Sequence, residues 1–270
     1  MATSDRNFAG AIPDLYDRLL VPLIFQEYAQ DLAKRVAGLR PQHVLEIAAG
    51  TGVLTRAMAP LLDTSTRVVA SDLNQPMLDV AMRKQPNDNR IEWRQADALA
   101  LPFQPQTFDV VVCQFGAMFF PDKVQGYREA RRVLKPGGFF LLNIWESLAV
   151  NDFARTVEEA LADMFPSDPP RFMGRTPHGY GDKHVIRAEL DTAGFPAIAI
   201  ETVAHRSRAT SAQDVAFTYC QGTPLRAEIE ARNPLGLEAT TDAVAEVLRK
   251  TFGSGAIEGG ISAHVVTAVR

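Results

Sequence analysis

The stretch Glu46-Ile-Ala-Ala-Gly-Thr-Gly-Val53 sets a carboxylate and two glycines between an apolar run, His43-Val-Leu45, and a helical pattern, Leu54 to Leu61. A buried strand, a tight glycine turn and a helix start make a nucleotide cradle. Gly50 and Gly52 can take positive φ and let the backbone approach a ligand where a Cβ would block it. The helix that follows points its free N–H groups across the turn. Asp72, 20 residues past Gly52, ends a second apolar run, Arg67-Val-Val-Ala-Ser-Asp72. An acid at the tip of the next strand is placed to bind the two hydroxyls of a ribose. The pattern implies a cofactor of the adenosine type.

Two chemistries compete for such a cradle. A dinucleotide-binding oxidoreductase carries G-x-G-x-x-G, and here the third position of that pattern is Thr55. The third glycine serves close packing of helix on strand, so its absence weakens the dinucleotide case without excluding it. Glu46 discriminates further. A pyrophosphate would be repelled by a carboxylate at the strand end, whereas a cofactor with an ammonium and a sulfonium would be attracted. That contrast favours S-adenosylmethionine over NAD(P). A glycine turn that binds nothing is the bland alternative.

The segment Val44-Leu-Glu-Ile-Ala-Ala-Gly-Thr-Gly52 resembles the first motif of class I S-adenosylmethionine-dependent methyltransferases, with Ala48 and Ala49 where most members begin their glycines. Gln95 to Phe103 and Phe108 to Phe115 resemble the next two motifs. Arg128 to Leu142 is similar to the family's helix, turn and fifth strand. The likeness covers about residues 40–145 and points to the small-molecule branch, type 11, with the ubiquinone and menaquinone biosynthesis methyltransferases. It implies that Ala48, Gly50, Thr51 and Gly52 form the cofactor loop and that Asp72 receives the ribose hydroxyls. It implies that Asp97 takes the adenine amino group, with the Ala98 N–H beside the ring. Leu73 and Met77 would sandwich the adenine. Gln114 and Phe115 follow the fourth strand, where the methionine amino group is met, with Glu46 assisting. Tyr16 resembles a tyrosine that closes over the methionine carboxylate. Each has a plainer alternative: a solvated turn acid for Asp72, a helix cap for Asp97, an ordinary core role for Met77 and Tyr16.

Periodicity supplies the elements that position these groups. Strands are expected at about 43–48, 67–72, 91–95, 108–113 and 138–145, then Ala197 to Val203 and Ser262 to Val269. Alternating strands and helices imply an α/β fold, a doubly wound, mostly parallel seven-stranded Rossmann-like sheet. By resemblance the last strand is antiparallel. Leu15, Leu19, Leu20, Leu23, Tyr28, Leu32, Val36 and Leu39 recur at helical spacing, with Pro22 expected to divide two helices. A helix is expected from Asn151 to Phe165, then a long Pro- and Gly-rich loop, 166–181, and further helices near 182–193, 211–220, 224–231 and 240–252. The organisation expected is an N-terminal helical cap, 1–40, a cofactor-binding core, 41–148, and cap insertions with the last two strands, 149–270.

Composition narrows the function class. With 270 residues and 46% apolar composition the chain can bury one substantial core. The net charge of −4, with no basic run, disfavours a nucleic-acid partner. Neither a signal-peptide pattern nor an apolar stretch long enough to span a membrane is present, and a cytoplasmic setting is expected. The two cysteines, Cys113 and Cys220, and five scattered histidines have no metal-ligand spacing, so no metal is expected.

A sulfonium methyl is already activated, and in-line positioning supplies much of the barrier reduction. A base is needed only if the nucleophile is protonated near neutral pH. His178, in the Pro177-His-Gly-Tyr180 loop, is the candidate base, with an ordinary surface role as its rival. Phe119, Phe120, Trp145 and Tyr180 are candidate walls for a small, aromatic or apolar acceptor. Methylation of O, N, S or C is open, as is the oligomeric state, a homodimer included. The alternatives are an NAD(P)-dependent oxidoreductase and a methyltransferase-like binding protein without turnover.

Overall fold

The computed structural model describes residues 12–232 and 236–270; residues 1–11 of the expected N-terminal unit lie outside the described residues. Seven strands form one sheet: β1 His43–Ile47, β2 Arg67–Asp72, β3 Ile91–Gln95, β4 Phe108–Gln114, β5 Leu134–Trp145, β6 Ala197–Ala209 and β7 Ile257–Val269. Their order is β3-β2-β1-β4-β5-β7-β6. The pairs β1–β2, β2–β3, β1–β4 and β4–β5 are parallel, and β7 runs antiparallel to both β5 and β6. The expected sheet is therefore present, with β6 and β7 longer at their hairpin-facing ends than hydropathy alone suggests.

Strand order reverses between β1 and β4. The chain runs outward from β1 to β3, returns to the centre, and runs outward again. Ligands of such sheets sit beyond the carboxyl ends of the strands at this reversal. Helices cover both faces. On one face Val44, Val68, Val110, Val112, Leu141 and Val265 pack under α2 (Gln26–Gly38) and α3 (Val53–Met58). The opposite-facing residues, among them Leu45, Ile47, Val111, Phe140 and Leu142, join α5 (Lys123–Val133) and α8 (Lys183–Thr192). The central strands β1 and β4 are thus apolar on both sides, as central parallel strands must be, while the edge strands β3 and β6 are largely exposed.

The N-terminal helices depart from expectation at Pro22. A short α1 (Ile12–Leu15) runs into a π-helical segment, Tyr16–Phe25, which contains Pro22 and continues into α2 without a break. Proline lacks an N–H and crowds the carbonyl four residues back, which breaks a regular α-helix. The wider π spiral relieves that crowding: the Gln26 N–H reaches Val21 O, five residues back. Pro22 therefore widens the helix instead of dividing it.

Between β5 and β6 lie α6 (Asp152–Met164) and α7 (Phe172–Arg175), the latter a single turn inside the long Pro- and Gly-rich loop. Between β6 and β7 lie α9 (Ala212–Gln221), α10 (Leu225–Arg232) and α11 (Leu237–Phe252). α9 packs on α11, α10, α6 and the π-helical segment, which joins these insertions to the N-terminus in one helical layer. Among the described residues no helix is long and apolar enough to cross a membrane.

Candidate functional site

Where the strand order reverses, the β1–α3 loop turns back on itself through three left-handed positions. Ala48 (φ 54°), Gly50 (φ 56°) and Gly52 (φ 78°) all have positive φ. Gly52 is required for a second reason: a Cβ there would lie 2.9 Å from the Trp93 ring and 3.0 Å from Ala81 Cβ. Ala48 holds a conformation that usually costs an L-residue about 1–2 kcal/mol. The loop after β4 meets it closely. Phe115 is also left-handed (φ 53°), and a Cβ on Gly116 would fall 2.3 Å from Ala48 Cβ.

A cleft of about 720 Å³ opens at this junction. Tyr16, Ala48, Gly50, Asp72, Leu73, Met77, Asp97, Ala98, Gln114 and Phe115 all line it, so residues scattered over a hundred positions meet in one place. Asp72 is only 7% exposed. Its carboxylate accepts from Gly50 N and from Asn74 N, both at 2.8 Å. Burial nevertheless pushes its pKa up. Asp97 is exposed, and its carboxylate accepts from Leu99 N at 2.9 Å. Gln114 donates from Nε2 to Phe25 O at 3.1 Å, while its buried Oε1 has no hydrogen-bond partner. A buried acceptor left unpaired at a cleft wall is poised for a donor brought by a ligand.

Three expected residues lie behind the cleft instead of on its surface. Thr51 and Gly52 form the back of the loop, and Thr51 O accepts from Arg56 Nη1 at 2.5 Å. Glu46 is 1% exposed and is absent from the cleft wall. Thr55 Oγ1 donates to its Oε2 at 2.5 Å. Burial raises the Glu46 pKa to about 8, so near neutral pH this carboxyl is largely protonated. The simple attraction of a surface carboxylate for a cation is thus replaced by a buried Glu46–Thr55 contact that ties β1 to α3. Thr55, the departure from G-x-G-x-x-G, is the residue that makes this contact.

A second cavity, of about 470 Å³, adjoins the first and shares Tyr16, Phe115 and Phe119 with it. His178 and Trp145 line this second cavity, and Phe120 lines the first. Tyr180 lines neither. Its hydroxyl donates to Glu189 and lies 3.1 Å from the Tyr127 hydroxyl, and Lys123 Nζ sits 4.7 Å from its ring centroid. The expected role of Tyr180 in an acceptor wall is therefore corrected: buried polar partners draw its hydroxyl away from both cavities. Sequence reasoning missed Asn74, Gly116 and Pro121 in the first cavity and Leu20, Phe25, Phe172 and Met173 in the second. Asn74 follows the Asp72 strand tip and was legible by position. The others belong to segments without a motif.

Sequence reasoning also missed Asp17. Its side chain is 4% exposed and pairs with Arg56 Nη2 at 2.9 Å and Lys84 Nζ at 2.5 Å. Burial would raise its pKa, but Lys84, the Thr51 side chain and Arg56 together outweigh burial and hold it below the usual carboxylate range. Arg56 in turn grips Thr51 O, so Asp17, the residue after Tyr16, fastens the π-helical segment to the glycine loop.

Comparisons with known proteins agree with this geometry. A family model described as a methyltransferase domain matches residues 45–142. The ubiquinone/menaquinone biosynthesis C-methyltransferase UbiE of Escherichia coli is 30% identical over 171 residues, spanning 59% of this chain and 68% of the relative. The chain belongs to the class I S-adenosylmethionine-dependent methyltransferases. This methyltransferase uses S-adenosylmethionine as its cofactor. Its fold is shared by the YcgJ protein of Bacillus subtilis, at 20% identity and a TM-score of 0.58 over 90% of this chain and 98% of that one. It is shared too by phosphoethanolamine N-methyltransferase 2 of Haemonchus contortus, at 17% identity and a TM-score of 0.63 over 100% of this chain and 61% of that one. That structure holds phosphomonomethylethanolamine and S-adenosylhomocysteine. At these identities the likeness is one of fold.

Proposed function

We propose that this methyltransferase transfers the cofactor's methyl group to a small, apolar or aromatic acceptor seated in the second cavity. The observation that carries the proposal is the shared wall of Tyr16, Phe115 and Phe119 between the Asp72 cleft and an aromatic chamber. When bound, the cofactor supplies a methyl group already activated on a sulfonium sulfur. Asp72 would accept from the ribose hydroxyls with lone pairs not used by Gly50 and Asn74; charge-assisted bonds of this kind contribute roughly 1.5–3 kcal/mol each. Asp97, with Ala98 beside it, would take the adenine amino group, and Leu73 and Met77 would cover the ring. Gln114 Oε1 would accept from the methionine ammonium. Ala48, Gly50, Thr51 and Gly52 shape the loop, Phe115 closes it, and Glu46 supports it from beneath. Tyr16 would close over the carboxylate. His178 would take up a proton from an acceptor whose nucleophile carries one.

On this reading residues 12–40 and the helices within 149–270 act as a cap that excludes water around the core of 41–148. Interspersed charge at a net −4 goes with a small-molecule acceptor and not a nucleic acid. The free, buried thiols of Cys113 and Cys220 go with a reducing, cytoplasmic compartment.

Titration calorimetry with S-adenosylmethionine, S-adenosylhomocysteine, NAD and NADP tests the cofactor half of the proposal. The expected outcome is micromolar binding of the first two, weakened at least tenfold in Asp72→Ala. Tight NAD binding without a response to the sulfonium cofactor would make the site a dinucleotide site. Turnover against an acceptor panel separates the enzyme from a domain that only binds.

A further inference from the structure

The second cavity carries information about its guest. Among the described residues, no Asp, Glu, Lys or Arg lines it. A charged guest would leave water and meet no opposite charge, which is strongly unfavourable in an apolar enclosure. Its walls are largely aromatic. Phe115 and Trp145 stack at 3.7 Å with their planes 11° apart, Phe25 leans on both at 5.5 and 5.8 Å, and Phe172 faces Phe119 at 6.5 Å. Flat rings at these spacings favour a flat apolar guest.

Four side chains in this wall bear nitrogen or oxygen atoms: Tyr16, Thr223, His178 and Trp145, whose indole N–H can donate but not accept. The Thr223 hydroxyl is used locally, donating to Tyr219 O at 2.7 Å and accepting from Leu225 N at 3.2 Å. Tyr16 lines both cavities, and burial first, then the nearby Asp72 and Asp17 carboxylates, keep its hydroxyl protonated. His178 is different. It is 8% exposed, and its Nδ1 lies 2.9 Å from Glu146 O. A carbonyl can only accept, so Nδ1 carries the proton and Nε2 presents a lone pair. Burial keeps the ring neutral by pulling its pKa down to about 4. A neutral imidazole with its donor already committed is a reader of hydrogen-bond donors.

We infer that the second cavity takes an uncharged, flat, largely apolar molecule whose hydroxyl donates a hydrogen bond to His178 Nε2. The inference rests on the methyl-transfer reading and sharpens it. It sets apart hydroxylated aromatic or enolic acceptors from the amines, amino acids and phosphorylated compounds that a charged pocket would hold.

The test uses the full chain saturated with S-adenosylhomocysteine and follows quenching of tryptophan fluorescence, since Trp145 lines the cavity. The probes are 2-naphthol, naphthalene, 2-naphthoate and 2-naphthylmethylammonium. Binding of 2-naphthol should be at least fivefold tighter than that of naphthalene and at least tenfold tighter than that of either ion. His178→Phe should abolish the preference of naphthol over naphthalene, and His178→Gln, which keeps an acceptor oxygen, should retain part of it. An ion that binds as tightly as naphthol overturns the inference, as does a preference that survives in His178→Phe. If S-adenosylhomocysteine binds but no naphthyl probe does, the inference falls and the methyl-transfer reading stands. If S-adenosylhomocysteine itself fails to bind the same sample, the underlying reading fails first and takes the inference with it.

Discussion

Between residues 46 and 116 the site is built on tight backbone turns and short acids: a left-handed loop after β1, carboxylates at the tips of β2 and β3, and a second left-handed turn after β4. The adjoining cavity is made of side chains, drawn from the π-helical segment, the end of β5, α7 and the α9–α10 turn. The first region constrains main-chain geometry and therefore demands glycines and short acids at fixed spacings. The second constrains only volume, flatness and one hydrogen bond, which many sequences can supply. A fold that keeps the first and varies the second can hold one cofactor while changing the acceptor.

The sharpest way to break the backbone half is Gly116→Ala. Its new Cβ would lie 2.3 Å from Ala48 Cβ and 2.9 Å from Cys113 Sγ, so one of two tight turns must yield. Overpacking of this kind costs about 1–3 kcal/mol, read as a lowered denaturation midpoint. Cofactor affinity should fall at least tenfold with it. Ala48→Gly removes both the opposing methyl and the unfavourable φ, so the double variant should recover most of the loss. A double-mutant cycle with no coupling would show that the two turns do not touch in solution.

Next in size is Asp17→Asn, which acts at the seam between the two halves. Removing one partner of a fully buried ion pair costs 3–5 kcal/mol; Lys84 is 46% exposed, so about 2 kcal/mol is expected here. The Asp17 pKa is depressed on folding, so its contribution is complete above the unfolded value of 3.8 and is lost as pH falls through the lower folded value. The variant's deficit should accordingly be present at pH 7 and shrink below about pH 4. A deficit independent of pH would assign Asp17 a packing role.

The sheet was legible because each strand alternates or runs apolar between turn residues, and the cradle was legible because Gly50, Gly52 and Asp72 satisfy backbone requirements that few residues can meet. Pro22 was misread because a proline signals a broken α-helix and carries no sign that a π spiral will absorb it. Asp17 was invisible because its partners, Arg56 and Lys84, are brought together only by the tertiary fold. Tyr180 was misassigned for the same reason: Tyr127 and Glu189 claim its hydroxyl from other elements. Glu46 was placed at the right strand end, but its burial against Thr55 of α3 is a product of the tertiary fold, and burial favours its neutral form.

Glu46 offers a measurement smaller in size and specific in pH. Its folded pKa, about 8, lies above the ordinary 4.5. The folded state therefore holds the proton more tightly, and stability is lost as pH rises from about 4.5 through 8. Glu46→Gln keeps a hydrogen-bonding side chain without an ionisable proton, so it should flatten this slope. The variant should match the wild type near pH 5 and exceed it by more than ~1 kcal/mol at pH 8, since each tenfold change in proton affinity is worth about 1.4 kcal/mol. Equal slopes in the two proteins would mean that Glu46 ionises freely.

The smallest expected effect is the cleanest separation of site from scaffold. Leu73 is 42% exposed yet lines the cleft directly after Asp72. Its exposure leaves little folding energy in it, and surface substitutions generally change stability by less than about 0.5 kcal/mol. If it covers an adenine face in the complex, Leu73→Ala forfeits apolar burial that exists only when the cofactor is present, worth about 1 kcal/mol and thus about fivefold in affinity. Met77 cannot make this separation, because it is buried without a ligand and its removal would open a cavity as well. Calorimetry on Leu73→Ala should show weaker S-adenosylhomocysteine binding at an unchanged unfolding midpoint. Unchanged affinity would remove Leu73 from the adenine site and leave recognition there to Asp97, Ala98 and the backbone, which would extend the contrast between the two halves to the adenine itself.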